Sequence, residues 1–93
     1  NVGIEKADII AASFTLSPNP AAAYIYITTA IPSNKKTTVT IYDSKGQEYF
    51  RSKKVFANSN KGVIDLFSFP PGIYFCRLST FFRSETLKFI ISR

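Results

Sequence analysis

Two windows of the chain alternate apolar and polar residues with period two, and no window sustains a helical period. In Ala23 to Ala30, Ile25 and Ile27 share one face, and Tyr24, Tyr26 and Thr28 share the other. In Thr37 to Tyr42, Val39 and Ile41 point inward, and Thr38, Thr40 and Tyr42 point outward. Successive side chains of a strand project to opposite faces, so this alternation in β-branched and aromatic residues marks half-buried strands. It constrains the chain to an all-β fold.

Turn chemistry separates the strands. Ser17-Pro18-Asn19-Pro20 is a breaker, because neither proline donates to a ladder and asparagine favours turns. Upstream, Asp8 to Leu16 carries Ile9, Ile10, Phe14 and Leu16 and admits a first strand, which Ala11-Ala12-Ser13 weakens. Pro32-Ser33-Asn34-Lys35-Lys36 is a polar loop. Asp43-Ser44-Lys45-Gly46 has type I turn chemistry, with Asp at the first position and Gly at the fourth.

Gln47 to Phe56 reads as a long strand, with Tyr49, Arg51 and Lys53 opposite Phe50 and Val55. Ala57 to Gly62 reads as a second polar turn, and Val63 to Phe67 as a short strand. Pro70-Pro71-Gly72 is a sharp turn in which glycine supplies a positive φ. Gly72 to Thr80 follows as a strand, with Tyr74, Cys76 and Leu78 on one side. Phe81 to Ser84 turns the chain, and Glu85 to Ser92 closes it with Leu87, Phe89 and Ile91 opposite Lys88 and Ile90. Six strands, or seven with the first, at roughly 8–12-residue spacing predict an antiparallel β-sandwich or small barrel.

Ninety-three residues make one domain. A chain this short buries only about 60% of its unfolded surface, so its core is modest. With one cysteine, Cys76, no internal disulfide supports that core. Cys76 itself reads as a buried structural thiol. The absence of His removes the commonest general base and metal ligand, and with them the ordinary zinc site and the His-activated nucleophile. Asp43, Glu48, Asp65 and Glu85 show no paired arrangement of the kind glycoside hydrolysis needs. The expected function is therefore non-enzymatic, with no cofactor.

No apolar run approaches the roughly 20 residues of a membrane-spanning helix. The net charge of +6 is spread along the chain, which fits solubility and edge protection better than a polyanion site. Nucleic-acid fold signatures are absent. Because it lacks Met, the chain is expected to be a fragment or processed product. Residues 1–13 read as a linker from a preceding domain, with room for the start of a first strand, and residues 14–93 as the domain proper. Tyr24, Tyr26, Tyr42 and Tyr49 fall on or near outward positions, where they either pair across strands or offer stacking surfaces.

Four motifs in order resemble the C-terminal sorting domain, type A, of substrates of the type IX secretion system of Bacteroidetes. They are Leu16-Ser17-Pro18-Asn19-Pro20-Ala21, then Ile41-Tyr42-Asp43-Ser44-Lys45-Gly46, then Ile64-Asp65-Leu66 with Gly72-Ile73-Tyr74, and finally Lys88-Phe89-Ile90-Ile91-Ser92-Arg93. The resemblance covers about Phe14 to Arg93. Ser17 stands where an aromatic is frequent, and Phe67-Ser68-Phe69-Pro70-Pro71 is bulkier than the usual linker.

The resemblance implies an immunoglobulin-like β-sandwich of six or seven strands riding at the end of a secreted protein. It also implies a cargo linked N-terminally, passage through the periplasm and recognition by an outer-membrane translocon. A sortase-like peptidase would cut within or near residues 1–13, and the cargo would be released or joined to anionic lipopolysaccharide. The sorting motif carried over comprises Pro18, Asn19, Pro20, Asp43, Gly46, Gly72, Tyr74, Lys88, Phe89, Ile90 and Ile91. The last strand is the expected reading point, with a partner adding a strand to its edge. The rival readings are a carbohydrate-binding sandwich using Tyr24, Tyr26 and Tyr42, and a spacer module.

Overall fold

The structure, a computed structural model, describes residues 14–29, 37–56, 60–80 and 84–93. Seven strands are described: β1 (Phe14–Ser17), β2 (Tyr24–Thr29), β3 (Thr38–Asp43), β4 (Glu48–Ser52), β5 (Lys61–Asp65), β6 (Gly72–Ser79) and β7 (Ser84–Ile91). They form a three-stranded sheet in the order β1-β2-β5 and a four-stranded sheet in the order β4-β3-β6-β7. All ladders between named strands are antiparallel. The expected all-β sandwich is therefore present.

The core lies between the sheets. Ile25, Ile27 and Ile64 from one sheet meet Val39, Ile41, Cys76 and Phe89 from the other, all essentially without solvent exposure. The face assignments of β2, β3, β6 and β7 hold, because each alternates strictly between buried and more exposed positions over its central residues.

Two strands differ from expectation. β4 stops at Ser52, short of Phe56, where the Ser52 hydroxyl accepts the Lys54 N–H and turns the chain away. β5 starts at Lys61 and ends at Asp65, two residues earlier than expected, because it pairs with Tyr24 through Thr28. Gly62, expected in a turn, thus lies in a strand. A Cβ there would sit 2.4 Å from Val55 Cγ1 and 2.6 Å from the Val55 carbonyl oxygen. Only glycine allows the segment after β4 to cross β5 this closely.

Tyr49 also departs from its expected outward position. Ile41 pairs with Phe50 but Tyr42 pairs with Glu48, so Tyr49 is an extra residue in a β-bulge. The bulge breaks the alternation and turns the Tyr49 ring towards the core. The first strand is described only as Phe14–Ser17. The expected linker and the earlier part of that strand, the Pro32 to Lys36 loop and the Phe81 end of the last turn lie outside the described residues.

Candidate functional site

The register of the four-stranded sheet brings the motifs to one end of the sandwich. Asp43 pairs with Tyr74, and Tyr74 pairs with Phe89. One step further, Gly72 pairs with Ile91, which makes a parallel bridge to Ala21. Residues far apart in sequence thus share one pole.

The Asp43 turn is built from its own residues. Its carboxylate Oδ1 accepts the N–H groups of Lys45 and Gln47, each at 2.9 Å. The Gly46 N–H donates to the Asp43 carbonyl at 3.0 Å, and Gly46 takes a φ of 89°. This is the turn the sequence predicts, with glycine in the left-handed region.

The Pro18-Asn19-Pro20 segment is bound elsewhere. Both of its X-Pro bonds are cis. The Asn19 side chain lies on the outer edge of β7, accepting the Ile90 N–H at 3.1 Å and donating to the Lys88 carbonyl at 3.5 Å. Ala21 continues the pairing: its N–H donates to the Ile90 carbonyl at 2.8 Å, and its carbonyl accepts the Ser92 N–H at 2.9 Å. β7 is the edge of its sheet, so the motif caps that edge from Lys88 to Ser92. The expected open edge at Lys88–Ile91 is therefore occupied by the chain itself. Unpaired edges invite strand addition, and capping blunts them.

The segment before β6 closes the pole. Asp65 Oδ1 accepts the Phe67 N–H at 2.8 Å, and the Leu66 N–H donates to the Ala23 carbonyl at 2.8 Å. Gly72 has a positive φ of 153°, broader than the value of about 80° in a type II turn, and already pairs as a strand residue. The buried Tyr74 ring meets Tyr49 and Phe69 edge-on and stacks on Phe89, with centroids 5.4 to 5.8 Å apart. Its hydroxyl donates to the Pro70 carbonyl at 2.5 Å. Burial raises the Tyr74 pKa, and the nearby Tyr49 and Asp43 raise it further, against a lowering by Arg93.

Arg93 ties these parts together. Its guanidinium donates to the carbonyls of Ala22 at 2.6 Å, Phe67 at 3.4 Å and Leu66 at 3.5 Å, with a further short bond to that of Phe69. The sequence reading places Arg93 at the end of the last motif but gives it no contact within the fold, because its acceptors are backbone groups that carry no residue signature. Phe69 has no assigned role for the same kind of reason, and Tyr49, expected outward, joins Phe69 and Tyr74 only because of the bulge in β4.

Of the eleven motif residues, Tyr74, Phe89 and Ile91 are core, whereas Lys88 projects outward and Ile90 is 39% exposed. Three of the acids do structural work. Asp43 and Asp65 hold turns, and Glu48 forks onto Arg51 at 2.8 and 3.0 Å. That pairing lowers the Glu48 pKa, chiefly through the hydrogen bond. Burial pushes the Cys76 thiol up to about 12, which leaves it protonated and inert in the folded chain. Among the described residues no cluster of three metal-ligating side chains occurs.

The proposed sugar platform does not assemble. Tyr24 and Tyr26 lie on the outer face of the three-stranded sheet and Tyr42 on that of the four-stranded sheet, with the core between them. Tyr24 and Tyr26 meet edge-on at 75°, so they offer no common plane.

The chain is an antiparallel β-sandwich whose motifs interlock at one pole by bonds to backbone groups. Residues 15–92 match the secretion system C-terminal sorting domain family, and the chain belongs to that family, the sorting signals of the type IX system. The membership marks a secreted or cell-surface protein and implies interaction with the secretion system and a linked cargo. Among solved structures, the chain resembles a DUF3244 family protein of Bacteroides vulgatus with an immunoglobulin-like β-sandwich fold. The TM-score is 0.68 at 17% identity, over 89% of this chain and 88% of that one. Among curated proteins, none matches the sequence. No helix of the described residues is long and apolar enough to cross a membrane.

Proposed function

We propose that residues 14–93 are the address by which the type IX machinery carries an N-terminally linked cargo from the periplasm across the outer membrane. The translocon reads the folded domain. A sortase-like peptidase then cuts within or near residues 1–13, and the cargo is released or attached to anionic lipopolysaccharide. The domain itself performs no chemistry.

One observation carries this reading. In a chain of this family, motif residues 71 positions apart, Asn19 and Ile90, bond directly at one pole. Asn19, set between Pro18 and Pro20, caps the last strand together with Ala21. Asp43 and Gly46 set the adjoining turn, and Gly72 and Tyr74 hold the closing segment. Phe89 and Ile91 anchor the strand in the core, and Lys88 and Ile90 present its outer side. The test is a periplasmic reporter fused ahead of residues 14–93 in a type IX-competent host. Surface export of the fusion, lost when residues 88–93 are deleted, supports the reading. Equal export without those residues overturns it.

A further inference from the structure

With the edge of β7 capped beside the pole, the two outer sheet faces remain as surfaces for a partner. They differ in charge. The three-stranded face exposes Tyr24, Tyr26 and Val63, and its outward charges, Lys61 and Asp65, cancel. The four-stranded face is graded. Next to the pole, Ile73 pairs with Ile90, 45% and 39% exposed. The next row is Tyr42-Phe75-Lys88, with the two rings stacked at 5.8 Å. Beyond it lies the row Arg51-Thr40-Arg77-Thr86. A shallow concavity of about 520 Å³, lined among others by Gly46, Glu48, Tyr42, Arg51, Arg77 and Ser79, runs along the β3–β4 side of this face from the Asp43 turn outward.

The outward register of these strands holds three cations, Arg51, Arg77 and Lys88, and one carboxylate, Glu48, whereas Asp43 and Glu85 pair with the inward residues Tyr74 and Leu78. Glu48 is taken up by Arg51. Among the described residues, Arg77 makes only a 3.5 Å contact with the Ser84 hydroxyl. Among the described residues, Arg77 and Lys88 have no carboxylate partner, and they flank the apolar rows. Of the charges scattered along the sequence, Arg77 and Lys88 thus stand beside exposed apolar side chains.

We infer that the outer face of the four-stranded sheet docks a protein surface with an apolar centre and carboxylates at its rim, belonging to the secretion machinery. This rests on the sorting function proposed above. The partner's apolar centre covers Ile73, Ile90 and the Tyr42–Phe75 pair, and its carboxylates meet Arg77 and Lys88. Rim charges of this kind steer association and fix orientation, and buried apolar contacts hold the complex. A purely anionic ligand leaves Ile73 and Ile90 without a role, so a protein is favoured over a polyanion.

The test uses the same reporter fusion with three double variants: Arg77→Glu with Lys88→Glu, Ile73→Asp with Ile90→Asp, and Tyr26→Lys with Val63→Lys on the opposite face. Thermal melting of each purified domain establishes that it folds. The inference expects surface export to fall at least tenfold in the charge-reversal pair with melting unchanged. The Ile pair should also lose export, and the opposite-face pair should export normally. Normal export of a folded charge-reversal variant overturns the inference and leaves the sorting function standing. So does an equal loss in the opposite-face pair. Failure of the unaltered fusion to reach the surface removes the sorting function, and this partner with it. Binding of the purified domain to host outer-membrane vesicles separates the occupants. Loss of binding after protease treatment of the vesicles supports a protein. Binding that survives protease overturns the assignment in favour of an anionic glycan.

Discussion

The turn at Asp43–Gly46 and the segment at Pro18–Ala21 carry equally plain turn residues, yet they hold the fold in opposite ways. Asp43 spends its carboxylate on N–H groups two and four residues ahead. Asn19 spends its amide on a strand 69 and 71 residues away. The first motif shapes the backbone that contains it. The second has no structural meaning until β7 exists. A short motif can therefore be local grammar or one half of a distant contact, and its composition does not reveal which.

The comparison breaks most readily at Tyr74, where both regions meet the core. Tyr74→Ala removes the ring that contacts Tyr49, Phe69 and Phe89. A loss of about 3–5 kcal/mol in urea unfolding is expected, the usual cost of truncating a buried aromatic. Tyr74→Phe keeps the ring and loses the bond to Pro70, for about 1 kcal/mol. Equal, small losses in the two variants would show that the aromatic cluster does not unify the pole.

Next in size is Arg93→Ala, expected to cost about 2 kcal/mol for the loss of charged hydrogen bonds to the carbonyls of Ala22, Leu66, Phe67 and Phe69. Asn19→Ala and Asp43→Ala should each cost about 1 kcal/mol. Double-mutant cycles sharpen the contrast. Asn19→Ala and Arg93→Ala act on the same two segments and should couple by more than about 0.5 kcal/mol, whereas Asp43→Ala and Asn19→Ala should add within that margin. Strong coupling of Asp43 to Asn19 would erase the distinction between local and distant motifs.

The smallest effect at neutral pH belongs to Cys76, which pairs with Ile41 and Leu87 between the two regions. Its folded pKa of about 12 stands above the ordinary 9 of a free thiol. Below pH 9 both states keep the proton, and the full stability is present. Between pH 9 and 12 only the unfolded chain ionises, so stability falls by up to about 1.4 kcal/mol per pH unit. Cys76→Ala should flatten that decline in alkaline melts. The raised Tyr74 acts in the same direction at higher pH. An unchanged alkaline slope would place the thiol in contact with water.

Strand existence and facing were legible wherever alternation was strict, as in Tyr24–Thr29 and Thr38–Asp43. Legibility failed where a single residue changed the register. The extra residue at Tyr49 turned an outward position inward, and Gly62 read as a turn residue because the close passage of Val55 leaves no mark in the sequence. The site was legible in part. The order of its motifs indicated the family, and Asp43 announced its own turn. The cap on β7 and the Arg93 clamp were hidden, because both use backbone partners, and any residue could supply those.

The Arg93 clamp has a consequence for when the pole exists. Its bonds reach Ala22 across 71 residues and Phe69 across 24. Contacts of such span form only after the intervening chain is in place, since the loop-closure entropy must be overcome first. The pole is thus a completion mark. A domain missing its last strand presents the same sequence through β6 but no closed pole, and one stalled with that strand undocked presents all of it with the pole still open. A contact made at this end of the sandwich is therefore complete only in a molecule whose last strand is docked.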